Sequence, residues 1–504
     1  MKKASRLLIL LLLFALMSSV VASCNTTPNE SSAETNSTES TTSDTELFGN
    51  LPDVTYGDAE ITILVEGDHR GLYQSVEIMQ NETSPELINS AVALRNTLVE
   101  EKFKVKIVEI RTAAGEAMNQ LIMNNQTGGT DLYDIVMPYI PDAAALALQD
   151  YFYKLNDNEN LHLDQPYWDQ RSIKGLSINE ENYFITGDFS LLSLACTHAI
   201  VFNKDLVTEN NLENPIDLVK DGEWTLDKMA EMARKVTSDS NGTAGMQYND
   251  TYGFLVNGNF PTSMVVASGE SLTGKDANDL PILTIDTERA ANVFSKVFGI
   301  INDKQVSGRI ESFQSEVQAL NKTVWQAATE AVANKKALFR AMAVADIPEL
   351  GDFECNFGIL PIPKYDEEQT EYYSLISTIY ATSAAIPVTN SQEDFNRAAV
   401  ILDAICQAST DTVKQNYYEV MLKLRKIQDD ESAEMLDLIF GNRVYDLGII
   451  FGWGSANLYD PNSLANFMNT VAFSGTNTFT STLESIKTAV QADIDETVEI
   501  FQTD

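Results

Sequence analysis

The sequence predicts an α/β protein of two lobes, and three observations carry the prediction. Strand-like apolar runs alternate with helix-like segments along most of the chain. About 450 of the 504 residues have globular composition, more than one hydrophobic core accommodates. The alternation also shifts near Ser193 to Val201 and again near Ser377 to Ile386, where the chain is expected to cross from one lobe to the other.

The first element is the apolar run Ile61 to Val65, read as a strand. Ser84-Pro85 then offers an N-cap and a first helical position, and Leu87, Ala91, Leu94 and Leu98 supply one apolar face for the helix that follows. Val105 to Ile110 reads as a second strand, about Ala113 to Asn125 as a second helix, and Asp134 to Pro138 as a third buried strand. This order predicts a parallel sheet whose ligands sit at the carboxyl ends of its strands. Past the first crossing, "HAIVFNKDL" from His198 is an apolar run ending in a turn. In "EWTLDKMAEMARKV", Thr225 caps a helix that has Asp227 in its first turn and Arg234-Lys235 in its last, matching the macrodipole at both ends. A helix is expected from Glu288 to Asn302, strands in "ALFRAMAVADI" and "FGILPIP", and mainly helix after Ser391.

The N-terminus is different in kind. Lys2, Lys3 and Arg6 precede the apolar run Leu7 to Met17, as in a secretory signal peptide. Eleven apolar residues rise only about 17 Å as a helix, too short for a membrane span. Val21-Ala22-Ser23-Cys24 resembles the lipobox of bacterial lipoproteins, which implies cleavage before Cys24 and its diacylation; ordinary cleavage with an incidental thiol is the alternative. The residues from Asn25 to Glu46 are almost all Asn, Thr, Ser and Glu, a composition that cannot offset its ordering entropy and reads as a flexible tether spanning roughly 25 Å.

Removing the leader leaves 31 basic against 73 acidic residues and takes the formal charge from −39 to −42. Nucleic acid and anionic lipid are poor partners for such a surface. Cys196, Cys355 and Cys406 are far apart with no C-x-x-C pair, so neither a zinc knuckle nor a disulfide framework is encoded. "DSNGTAGMQYND" places Asp239, Asn241, Thr243 and Asp250 at positions one, three, five and twelve of an EF-hand-like calcium loop. It is a degenerate copy: Thr243 replaces an acid, Ala244 the turn glycine and Asp250 the bidentate Glu, so any calcium site is expected to be weak and no other cofactor is expected.

The leader and lipobox, "DIVMPYIPDAAALALQDYFYKLND", "YFITGDFS", "FNKDL", "VKDGEWTLDKMAEMARKVTSD", "DTYGF" and "FGILPIPKYDEEQTEYYS", in that order, resemble the family 1 extracellular solute-binding proteins of bacterial ABC importers, especially those of anaerobic Gram-positive bacteria. The resemblance covers nearly the whole mature chain. It implies a periplasmic-binding-protein type 2 fold with discontinuous chain crossings and a cleft between the lobes. It also implies a monomeric receptor on the outer face of the membrane, anchored by lipid, that closes on a mono- or oligosaccharide and serves permease subunits. On this reading residues 1–23 are the signal peptide and 24–50 the lipidated cysteine and tether; 51–197 with 328–380 form the first lobe, and 198–327 with 381–504 the second.

Sugar recognition pairs aromatic faces with the apolar side of the ring and gives the hydroxyls to carboxylates, amides and arginine. The aromatic candidates are Tyr139, Trp168, Trp325, Tyr380 and Trp453; Trp224, just before a capped helix, reads as a packing residue. In "IFGWGSAN", Gly452 and Gly454 leave the backbone free to present the Trp453 indole in a loop, with a core position as the alternative. Glu66 and Asp68 follow the first strand and Asp188 precedes the first crossing, which makes them the acidic candidates, with solvated or turn-forming roles as the alternative.

An exported glycoside hydrolase is the competing class, since an acidic chain can always supply two carboxylates. No catalytic constellation supports it: His69, His162 and His198 form no H-E-x-x-H, and no G-x-S-x-G occurs. "GESLTGKD" imitates a phosphate loop but has Asp276 where a Ser or Thr belongs. A protein of the same fold for a peptide, lipid or metal is the third class.

Overall fold

Ile61, Ile63, Leu64 and Val65 are all buried, as expected of a strand covered on both faces. They belong to β1 (Ala59–Val65), which is flanked by β2 (Val105–Arg111) and β3 (Ile135–Met137) in a parallel sheet of order β2-β1-β3. The computed structural model describes residues 47–503 except 68–72, 83, 114–115, 241, 243–245, 378, 424–429 and 456. The leader, Cys24 and the tether as far as residue 46 lie outside the described residues.

The helix Glu86–Phe103 links β1 to β2 and Met118–Thr127 links β2 to β3. The first of these starts one residue later than its sequence suggests, with Pro85 at the N-cap and no capping side chain. Its buried face is also rotated: Ile88, Val92, Arg95, Val99 and Phe103 turn inward while Leu94 is 54% exposed. Arg95 overrides the apolar pattern because its guanidinium donates to the Glu77 carbonyl at 2.6 Å and the Ile78 carbonyl at 3.1 Å, so its burial leaves no donor group wasted.

The second sheet has β4 (His198–Asn203), β5 (Tyr252–Val256), β8 (Ser307–Arg309), β9 (Ala337–Ala343) and β10 (Phe357–Leu360) in the order β10-β4-β9-β5-β8. A hairpin of β6 (Thr273–Lys275) and β7 (Pro281–Leu283) stands apart, and β11 (Ser374–Leu375) pairs in parallel with β12 (Arg443–Val444). Thr225 caps the helix Leu226–Val236 by accepting from the Lys228 amide at 3.3 Å, and Glu288–Asn302 is helical from end to end.

The strand pairing differs from the expected division of the chain. β9 and β10, assigned above to the first lobe, pair with β4 in the second sheet. Ala384 and Ala385, assigned to the second, bridge to Ile185 and Val136 beside the first sheet. The helix Gln392–Ser409 then packs on Glu86–Phe103, whereas Phe467–Ala472 packs on Phe260–Ala267. A third passage therefore follows Ser409. A run buried on both faces, such as "ALFRAMA", does not say which sheet it joins, and a helical tail has no change of period to mark a crossing.

The passages lie side by side. Thr197 bridges to Ile376, the Ser377 amide donates to the Cys196 carbonyl at 2.8 Å, and the Ser374 amide donates to the Asn442 carbonyl at 3.0 Å. Segments 196–197, 374–377 and 442–444 thus form one three-stranded ribbon.

Candidate functional site

Strand direction decides which edges meet the ribbon. β5 and β9 run parallel, β4 runs against β9, and His198 at the start of β4 stands opposite Ala343 at the end of β9. His198, Asn259 after β5 and Asp346 after β9 therefore gather at one edge of the second sheet. Glu66 and Tyr139 occupy the equivalent edge of the first, just past β1 and β3.

At the first edge the chain turns sharply after β1. The Gly67 amide donates to Thr112 Oγ1 at 2.7 Å, and a Cβ at Gly67 would lie 2.0 Å from the Thr112 carbonyl oxygen, so only glycine fits. Glu66 is fully buried, with its carbonyl accepting from the Ser75 amide at 2.9 Å. Glu77 is also fully buried: its carboxylate accepts from Thr382 Oγ1 at 3.2 Å and from the Val76 amide at 3.2 Å. Burial pushes this carboxyl up to about 7.

Three tyrosines collect beside these acids. Tyr73 stacks on Tyr380 with centroids 4.2 Å apart and planes 6° from parallel, while Tyr139 meets Tyr380 edge-on at 6.0 Å. The Tyr139 hydroxyl donates to the Tyr73 carbonyl. The Tyr73 hydroxyl reaches Asp346 Oδ1 at 3.4 Å, and Arg340 Nη2 lies 3.8 Å from Asp346 Oδ2. Burial, with Asp346 beside it, raises the Tyr73 phenol and keeps it protonated. The first-sheet edge thus touches the second through one aromatic and one acidic side chain.

Next to this cluster, the ribbon walls a cavity of about 50 Å³, room for a few ordered waters. Its lining includes His198, Asn259, Thr262, Ile379, Tyr459 and Asn469, and among the described residues no Asp, Glu, Lys or Arg. His198 Nδ1 lies 2.6 Å from Ser263 Oγ, and the Asn469 side-chain oxygen accepts from the Thr262 amide and hydroxyl at 3.0 and 2.9 Å. Such a wall offers amides and hydroxyls beside aliphatic surface, suited to a polar molecule with an apolar face.

No family model matches the chain and no curated protein matches it. Solved structures do. UgpB from Mycobacterium tuberculosis in complex with glycerophosphocholine matches with a TM-score of 0.56 at 14% identity, over 88% of this chain and 100% of that one. The maltose-binding periplasmic protein MalE from Listeria monocytogenes in complex with maltose matches with a TM-score of 0.54 at 12% identity, over 88% and 99%. The maltose/maltodextrin-binding domain MalE from Bdellovibrio bacteriovorus bound to maltotriose gives 0.52 at 13%, over 87% and 100%. The chain has the two-lobe type 2 periplasmic-binding-protein fold.

In this periplasmic-binding-protein fold the predicted site residues separate into groups. Glu66 and Tyr139 stand fully buried at the strand-end edge of the first sheet, where Tyr380 packs against Tyr139. Trp168 is a core residue instead, 1% exposed, its Nε1–H donating to Asp403 Oδ2 at 3.2 Å. Trp453 is likewise core, 3% exposed and donating from Nε1 to Thr497 Oγ1 at 3.0 Å. Trp325 lies on the outer surface of the helix Val324–Ala333, 43% exposed. Asp188 is taken by Lys414 Nζ and Thr410 Oγ1, both at 2.8 Å. Asp68, Asn241 and Thr243 lie outside the described residues. Tyr73, Glu77, His198 and Asp346 share these edges without having been named as site residues from sequence; Tyr73, close behind the loop after β1, and His198, at the first crossing, carried a positional signal.

The two described acids of the candidate calcium loop are both engaged by backbone amides. Asp250 is buried and accepts from the Ser240 and Gln247 amides, each at 2.8 Å, while Asp239 accepts from the Gly242 amide at 2.7 Å. Among the described residues no group of three or more His, Cys, Asp or Glu is placed to hold a metal ion. Carboxylates already committed to amides make a poor cation cage. Millimolar calcium is therefore expected to leave the melting temperature unchanged. Calorimetry showing tight calcium binding that Asp239→Ala removes would overturn this.

Proposed function

We propose that the chain is a lipid-anchored extracellular solute-binding receptor that captures a mono- or oligosaccharide by lobe closure and delivers it to an ABC import permease. The observation that carries this reading is the convergence of two strand-end edges on one ribbon, with three packed tyrosines at the first edge and, along the ribbon, a cavity whose described lining carries no charged side chain. Neighbours of the same fold hold maltose and maltotriose, which favours a sugar; another holds glycerophosphocholine, which keeps a non-sugar solute as the second reading. A pyranose needs more room than the cavity gives, and opening would supply it by parting the body built on β1 to β3 from that built on β4, β5 and β8 to β10. Lipid at Cys24 and the tether after it would hold the receptor at high effective concentration near its permease.

The purified mature chain, screened by thermal shift against mono- and oligosaccharides, is expected to show a ligand that raises the melting temperature, because a molecule bound only by the native state stabilises it by mass action. The hit should be recovered unchanged. Silence across the panel with stabilisation by glycerophosphocholine would move the assignment to a non-sugar solute, and shortened products would move it to a hydrolase. In cells, Cys24→Ala should shift the protein from the membrane fraction to the medium; continued membrane fractionation would sink the anchor.

A further inference from the structure

We propose that His198 is a ligand-contacting, specificity-determining residue of the cavity, fixed by Ser263 as the neutral Nε2–H tautomer so that it presents one N–H donor to an uncharged ligand. The inference rests on the solute-binding reading and assigns a role that reading leaves open.

Ser263 is fully buried on the helix Phe260–Ala267. Among the described residues, His198 Nδ1 at 2.6 Å is the only partner given to its hydroxyl. Were Nδ1 to carry the proton, the buried Ser263 O–H would be left without an acceptor, which costs more than the alternative arrangement. The hydroxyl therefore donates to Nδ1, and the ring's proton sits on Nε2. Nε2 has no protein partner among the described residues, and the ring lines the cavity. That leaves Nε2–H as the donor this lining residue can offer a ligand.

Charge is set by the same surroundings. The Phe260 ring lies 5.4 Å from the imidazole, and Ala343 stands opposite it across the strand pair. The wall elements facing it contribute Asn259 and Thr262, Ile376 and Ser377, Ile449, and Tyr459 with Asn469; Tyr459 is the only titratable group among them. Asp346 at the same edge is engaged by Tyr73 and Arg340, and no carboxylate stands among the described residues lining the cavity; desolvation lowers the His198 pKa to about 4. A neutral donor among amides and hydroxyls accepts a hydroxyl or ether oxygen. Among the described lining residues an anion finds no countercharge and a cation no carboxylate.

Two measurements on the full mature chain decide the matter separately. In nitrogen NMR with labelled histidine, assigned through His198→Gln, the expected result is a neutral Nε2–H ring from pH 5 to 8. A Nδ1–H ring, or titration near the free-histidine value of about 6.5, would overturn the inference. In thermal shift with maltose, maltotriose, ribitol and glucuronate as probes, a neutral probe is expected to stabilise the wild type and glucuronate to fail. His198→Leu should then weaken that probe roughly tenfold, with partial recovery in His198→Gln, whose amide restores a donor. Equal binding by His198→Leu, or preference for glucuronate, would overturn the ligand role. If no neutral probe binds, the sugar reading fails, while the NMR arm still decides the tautomer.

Discussion

Trp453→Ala is expected to cost about 3–5 kcal/mol of unfolding free energy while leaving ligand affinity nearly unchanged. The indole is 3% exposed, stacks on Phe451 with centroids 5.4 Å apart and planes 10° from parallel, and spends its only donor on Thr497. Truncation removes a large apolar surface, leaves a cavity beside Leu464 and Phe467, and takes from the buried Thr497 hydroxyl the N–H it accepts, while that hydroxyl keeps its own bond to the Asp493 carbonyl. Trp453→Phe should recover much of the loss, since the ring stack survives and only the Nε1–H bond is missing. Urea midpoints of the three proteins provide the check. A loss below about 1 kcal/mol, together with weakened binding of a thermal-shift hit, would return Trp453 to the cleft.

The second large effect is on stability against pH, through Glu77. Burial raises its folded-state value from 4.5 to about 7, so between those limits the native state holds a proton that the unfolded chain has released. Stability then falls as pH rises through the window from about 4.5 to 7, by about 3 kcal/mol, and is flat in this respect outside it. Glu77→Gln carries a permanently neutral side chain of the same shape. The wild-type and Glu77→Gln stabilities should lie close together near pH 4.5 and diverge to about 3 kcal/mol in favour of the variant by pH 8. Arg95 and Glu109 remain in both proteins, so the difference between the two curves isolates residue 77. A difference that does not vary with pH would show that Glu77 is already ionised throughout.

Much of the fold was legible because its signals are local. Parallel strands buried on both faces leave unbroken apolar runs such as "ITILV", and a Thr cap with charges at both helix ends marks Leu226–Val236. What failed depended on distant partners. The buried face of Glu86–Phe103 is set by Arg95 reaching the carbonyls of residues 77 and 78, which no helical periodicity encodes. β9 joined the second sheet because of its register with β4, a pairing between segments more than a hundred residues apart. At the candidate site, strand-end position pointed to Glu66, because edge position follows from topology, while Tyr139, named for its aromatic ring, stands at the equivalent place after β3. For Trp453 the flanking glycines left cleft and core both open: Gly452 and Gly454 do adopt left-handed φ values of 64° and 99°, but a flexible turn reads alike whether it aims an indole outward or into the core. His198 went unnamed as a site residue, since its partner Ser263 lies on a helix with no sequence mark of its own.

The three-stranded ribbon at the crossings has a mechanical consequence. Strands laced laterally by backbone hydrogen bonds resist sliding past one another, as plies in a laminate do, yet such a thin band flexes across its width. A flexure of that kind removes shear and leaves one soft coordinate, an opening angle. Under the proposed opening, the floor between the bodies would barely move while its mouth swept widely, so a single pair of spectroscopic labels, one on each body, would be enough to follow the motion.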